Sequence, residues 1–174
     1  MDFELPEELV ARDYRLRPEV EQDMPFLSAL YASTREGELA GILNWSVTDK
    51  QAFCDQQFMA QRRHYRSQIP NCDYWIISHD GKPVGRLYIE ERVTQVHVVD
   101  IALVPEHRGL GVGLAILRAL AEVAASQDKA VGIFVEKYNP ALRLYRRLGF
   151  VPIGQTDLYL EMERPVDAAM QPVN

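Results

Sequence analysis

The chain has 174 residues, 47% of them hydrophobic and 25% charged, with a formal net charge of −6. That is enough apolar material for one core in one domain, and it excludes the compositions of disordered and collagenous chains. The mild acidic excess argues against nucleic acid as the main partner, because phosphate binding needs a basic stripe.

The opening MDFELPEELVARDYR is acidic and lacks the charged start and apolar run of a secretory signal. Residues 1–11 and 165–174 read as terminal extensions of a single domain spanning 12–164. DYRLR, 13–17, alternates as a first strand. From Gln22 to Ser33, Met24, Phe26, Leu27, Leu30 and Tyr31 recur at helical spacing. Thr48 can cap a second long helix bearing Ala52, Phe53, Phe58 and Met59, and the Trp45 segment between the two reads as a loop or a short irregular helix.

The period then changes. Tyr74 to Ile77 is strand-like, Asp80-Gly81 signals a hairpin, and Val84 to Glu90 returns as its second arm. Gln95 to Val104 is apolar on both sides of the pleat, which predicts a central buried strand ended by Pro105. After RGLGVG, Leu114, Leu117, Leu120, Ala121 and Ala124 mark one face of a helix. Ala130 to Val135 is another apolar strand. A helix after Pro140 carries Leu144, Tyr145 and Leu148 and stops at Gly149, and Leu158 to Met162 closes the order β-α-α-β-β-β-α-β-α-β. The fold class is α/β, a mixed, mostly antiparallel sheet with helices on both faces. No stretch approaches the ~20 apolar residues of a membrane span. Cys54 and Cys72 are too few for a disulfide framework and read as free thiols, so the cytoplasm is the expected location and no membrane partner is expected.

The chemistry gathers at Arg108-Gly109-Leu110-Gly111-Val112-Gly113, a junction between a buried strand and an amphipathic helix. Unpaired N–H groups and the positive end of a helix dipole make such a corner a phosphate site, and glycines let the phosphate approach. Gly113 is followed by Leu114 rather than Lys, so a nucleoside-triphosphate loop is excluded, and G-x-G-x-x-G fails in either register. The alternative is a tight turn whose glycines serve packing alone. Four scattered histidines and two distant cysteines offer no metal-ligand spacing, and no metal is expected.

Val104 to Gly113, VPEHRGLGVG, resembles the acetyl-CoA motif Arg/Gln-x-x-Gly-x-Gly/Ala of the GNAT acetyltransferase superfamily. Asn139 to Phe150 is similar to its second signature, Asn-Pro-Ala-x-x-Leu-Tyr-x-x-x-Gly-Phe. The resemblance covers about residues 13–163 and implies a GNAT-like fold with acetyl-CoA as acyl donor and an amine as acceptor. It implies that the main-chain N–H groups of Arg108, Gly109, Leu110, Gly111, Val112 and Gly113 hold the pyrophosphate. It also implies that Ile101, Ala102 and Leu103 splay from the neighbouring strand to admit the pantetheine. On the same resemblance the Leu103 N–H would stabilise the oxyanion of a tetrahedral intermediate, Asn139 would touch the pantetheine, and Tyr145 would protonate the leaving thiolate. Homodimers are frequent in the family, though no surface in the sequence marks one.

The base that deprotonates the amine is less defined. Relatives use a carboxylate or histidine at the position of His97, which shares one face with 99, 101 and 103 if the strand is unbroken. Asp100 falls on the other face unless a bulge intervenes, Glu136 is one residue displaced from a family glutamate, and an ordered water is the remaining choice. Tyr31, Arg35, Trp45 and Phe58 lie where the family builds its acceptor pocket. A chain of this length has no room for a separate targeting domain, which inclines the expectation toward a small-molecule acceptor. The alternative is a non-catalytic acyl-CoA-binding module of the same fold.

Overall fold

A computed structural model describes residue 1 and residues 3–168. Its strands are β1 (Tyr14–Pro18), β2 (Cys72–His79), β3 (Lys82–Glu91), β4 (Gln95–Leu103), β5 (Ala130–Glu136), β6 (Val151–Gln155) and β7 (Tyr159–Arg164). They form one seven-stranded sheet in the order β1-β2-β3-β4-β5-β7-β6. Only β4 and β5 run parallel; every other neighbouring pair is antiparallel. The helices are α1 (Glu7–Val10), α2 (Met24–Ala40), α3 (Val47–Gln68), α4 (Val112–Ser126) and α5 (Leu142–Arg147).

The pleat divides the core in two. Ile77 belongs to the larger core, into which α4 sends Ile116, Leu117, Leu120 and Ala124. Its neighbour Ile76 faces the other way and joins Leu27, Tyr31 and Phe58 of α2 and α3. Helices therefore cover both faces of a mixed sheet, as the sequence pattern predicts. Asp80 and Gly81 turn the β2–β3 hairpin with φ of +50° and +74°, the conformation a two-residue type I′ turn requires. Among the described residues no helix is long and apolar enough to cross a membrane.

The structure departs from the sequence reading in three places. Within the expected N-terminal extension, Phe3, Leu5 and Leu9 are buried in the larger core. Each such burial contributes ~1.5–3 kcal/mol, enough to hold a short acidic segment down. Residues 169–174 of the expected C-terminal extension lie outside the described residues. A seventh strand, β6, precedes β7; Pro152 has no N–H to give and is tolerated because β6 is an edge, with a bulge between Pro152 and Gly154. Ser46, not Thr48, caps α3. Its hydroxyl accepts the Asp49 N–H at 3.1 Å, and the Asp49 carboxylate accepts the Ser46 N–H at 2.9 Å.

Candidate active site

The sheet opens at its centre. β4 and β5 pair from Gln95↔Ala130 to Val98↔Ile133 and no further. β4 nevertheless runs on to Leu103 and β5 to Glu136, so their remaining lengths diverge. The Val104 N–H donates to the Val84 carbonyl at 2.9 Å, toward β3. In an antiparallel ladder the alternate residues Ile101 and Leu103 then turn their N–H groups away from β3, into the opening. The Leu103 carbonyl emerges on that side and accepts the Arg108 Nε at 2.8 Å.

A bulge in β4 re-aims the side chains. Tyr88 pairs with Asp100, but Ile89 pairs with Val98, which leaves Val99 as an extra residue. His97, Asp100 and Ala102 therefore share one face, opposite Glu90, Tyr88 and Arg86. The unbroken strand that placed His97 with 99, 101 and 103 is corrected here. His97 is only 5% exposed and packs on Phe134 with ring centroids 5.3 Å apart. It does not line the cavity described below. Burial, aided by the Arg92 charge, pushes it down to about 4, so it is neutral at neutral pH.

Beyond β4 the chain turns through Gly109 and Gly111, whose φ values of +71° and +81° favour glycine. Gly111 caps α4 with no side chain, and no acidic residue stands in the first turn. Among the described residues, none of the N–H groups of 109–114 donates a hydrogen bond; the first paired amide is Ala115 to the Gly111 carbonyl at 2.9 Å. Gly113 has an ordinary φ, and a Cβ built on it would meet no atom within 4 Å. Neither strain nor internal packing calls for glycine there, whereas close approach of a ligand does. The residues present fit a diphosphate. The Arg108 guanidinium itself turns away from the amides, toward Leu103 and the Ser33 hydroxyl at 2.8 Å.

A cavity of about 190 Å³ lies in the opening. Ile101, Ala102, Asn139 and Tyr145 line it, together with Asp100 and Glu136. Asn139 also accepts the Ala141 N–H at 2.8 Å, tying down the turn into α5. Tyr145 is buried, and its hydroxyl makes no hydrogen bond among the described residues. Burial and the Asp100 charge raise its pKa well above the usual phenol range, which keeps the proton in place. Glu136 is held by Arg35 of α2 at 2.9 Å.

The lining residues that escape the sequence reading include Gln61, Tyr65 and Arg86. Arg86 is 3% exposed on β3 and binds Asp100 at 2.7 Å and Gln61 at 3.0 Å. Tyr65 also donates to Asp100, at 3.3 Å. The signal was a lone arginine inside the apolar run PVGRLYI, since a buried charge requires a partner. Trp45, expected near the acceptor, instead packs against Phe53 at 5.3 Å and does not line the cavity.

A family model described as the Acetyltransferase (GNAT) family matches residues 39–150. The chain belongs to this family. The GNAT match spans α3, the opening between β4 and β5, the glycine corner and α5. An N-alpha-acetyltransferase of Sulfurisphaera tokodaii is 36% identical over 94 residues, 44% of this chain and 55% of that protein. This chain spans 62% and 55% of the lengths of the first curated relatives it matches. Among solved structures, a PaiA N-acetyltransferase from Thermoplasma acidophilum in complex with coenzyme A superposes with a TM-score of 0.64 at 13% identity, covering 87% of this chain and 98% of that one. A ribosomal L7/L12 alpha-N-protein acetyltransferase gives 0.61 at 18% identity, covering 92% of each. These likenesses establish the fold as that of GNAT proteins.

Proposed function

We propose that this chain is an acetyl-CoA-dependent N-acetyltransferase that passes the acetyl group to a primary amine by direct attack through a tetrahedral intermediate. One observation carries the reading: the unpartnered N–H groups of 109–114 stand at the end of the same strand that parts from β5. The N–H groups from Gly109 to Gly113 hold the pyrophosphate; the Arg108 N–H, expected to join them, is instead donated to the Pro105 carbonyl at 3.1 Å. The pantetheine runs along Ile101, Ala102 and Leu103, with Asn139 beside it. The Leu103 N–H faces the thioester carbonyl and stabilises the oxyanion.

Tyr145 is the general acid. It keeps its proton until the C–S bond breaks and then gives it to the leaving sulfur. His97 has no part, since burial lowers its affinity for a proton and it does not line the cavity. The amine loses its proton to water in the cavity, with Asp100 and Glu136 nearby. The free thiols Cys54 and Cys72 fit a cytoplasmic location. A small-molecule amine suits a cavity of about 190 Å³. A second reading, an amine at the start of a protein chain, is supported by the names of two similar proteins, the N-alpha-acetyltransferase and the alpha-N-protein acetyltransferase.

The test is a panel of amines with acetyl-CoA, followed by thiol release. Saturable turnover of at least one amine is expected. Cofactor binding without thiol release from any amine would instead leave a non-catalytic acyl-CoA-binding module.

A further inference from the structure

The charges in the cavity cancel in pairs. Arg86 meets Asp100 at 2.7 Å, and Arg35 meets Glu136 at 2.9 Å. A polycationic acceptor would reach carboxylates that are already neutralised. Among the described residues, no histidine lines the wall. At about pH 7.5 an alkylamine is roughly 0.1% free base, while an α-amine is about one-third free base. A cavity without an unpaired strong base favours the second by about three hundredfold, through proton supply alone.

Arg86 supplies an independent clue. Its hydrogen bonds to Gln61 and Asp100 both leave from Nη2. Its Nε is buried with no partner. A guanidinium has donors to spare for an oxygen placed beside it, and a buried unmet donor gains from meeting one. Arg86 stands directly across from Ala102, one residue from the Leu103 amide. Both hydrogen bonds to Asp100 use Oδ2, which leaves Oδ1 to accept an N–H.

Resting on the acetyltransferase reading above, we infer that the acceptor is the α-amine of an amino-acyl amide, with Asp100 taking an N–H of the amine and Arg86 the neighbouring carbonyl oxygen. A small amino-acid amide and the first residue of a protein chain present this same chemistry. Arg86 is thus a specificity residue for the group beside the reacting amine.

The experiment compares alaninamide, an alanine-initiated hexapeptide and 3-methylbutan-2-amine, the hydrocarbon isostere of alaninamide. Thiol release is measured at matched free-base concentration, so that proton supply drops out and recognition remains. Alaninamide or the peptide should exceed the isostere in kcat/KM by ~100-fold or more, as expected of a site built to bind a polar group. A higher value for the peptide assigns a protein chain as the source, and a higher value for alaninamide assigns a small molecule. Equal values for amide and isostere overturn the inference and leave the acetyltransferase reading standing. Thiol release from none of them, nor from any other amine, overturns both. Arg86→Lys keeps the charge facing Asp100 but loses the planar fork. It should bring the amide-to-isostere ratio near unity, with the KM for acetyl-CoA unchanged; a retained ratio removes Arg86 from the inference. Should that variant fail to fold, the isostere comparison on the parent protein decides alone.

Discussion

Replacing Gly113 with glutamate pushes stability and cofactor affinity in opposite directions. Position 113 lies in the first turn of α4, where a Cβ meets nothing within 4 Å and no acidic residue stands. Exchanging glycine for a better helix former contributes about 0.5 kcal/mol. A carboxylate near a helix N-terminus adds about 0.3–1 kcal/mol. The cofactor-free variant should therefore gain about 1 kcal/mol and melt roughly 2–4 °C higher. The same carboxylate opposes a bound diphosphate. At ~5 Å and an effective dielectric of ~20, one pair of like charges costs about 3 kcal/mol, roughly a hundredfold in Kd. Thermal melts without cofactor, paired with calorimetric titration of coenzyme A, read both quantities. A variant that binds coenzyme A within threefold of the parent, or that melts well below it, refutes the reading of this corner as a phosphate site.

Tyr145→Phe deletes a hydroxyl that holds no protein partner, so stability should be unchanged while kcat falls by ~100-fold. Unaltered kcat on the best amine would remove the general-acid assignment. His97, held down to about 4 by burial, has a folded pKa below its unfolded value near 6.5. Its contribution is therefore complete above about pH 6.5 and is lost as pH falls toward 4, amounting to about 2 kcal/mol by pH 5. Urea melts at both ends of that window should show His97→Asn losing less stability than the parent while keeping its activity; equal losses would contradict the burial argument. Gly85→Ala would place a Cβ 2.5 Å from the Ala102 oxygen and 2.7 Å from the Leu103 side chain. Overpacking there should cost about 1–3 kcal/mol in urea unfolding, and a neutral result would mean that β4 yields more readily than its ladder implies.

The features legible in the sequence were local ones. Asp80-Gly81 and the glycine corner each declare themselves within a few residues, because backbone conformation there depends on glycine itself. α4 was legible from periodicity: Leu117, Leu120, Ala121 and Ala124 are buried as expected, Leu114 is only half-buried, and Val112, Ala115 and Ile116 complete the stripe. The bulge at Val99 was hidden because the β-branched run around it contains no glycine or proline; it brings Asp100 onto the face of His97, and His97 stays out of the cavity because it lies where β4 is still paired with β5. β6 was hidden by Pro152 and Gly154, which interrupt the alternation of a strand that survives on an edge. The Arg86, Gln61 and Tyr65 wall joins β3 to α3, and no spacing rule connects residues that far apart. Phe3 and Leu5 looked like strays in an acidic tail, since only the folded sheet supplies the surface that buries them.

A nitrogen-15 NMR titration with coenzyme A reads the glycine corner atom by atom. The backbone signals of Gly109, Gly111 and Gly113 should move saturably and together, ahead of those in α3. Saturation that leaves all three glycine signals in place, or no saturation at millimolar cofactor, would contradict the account.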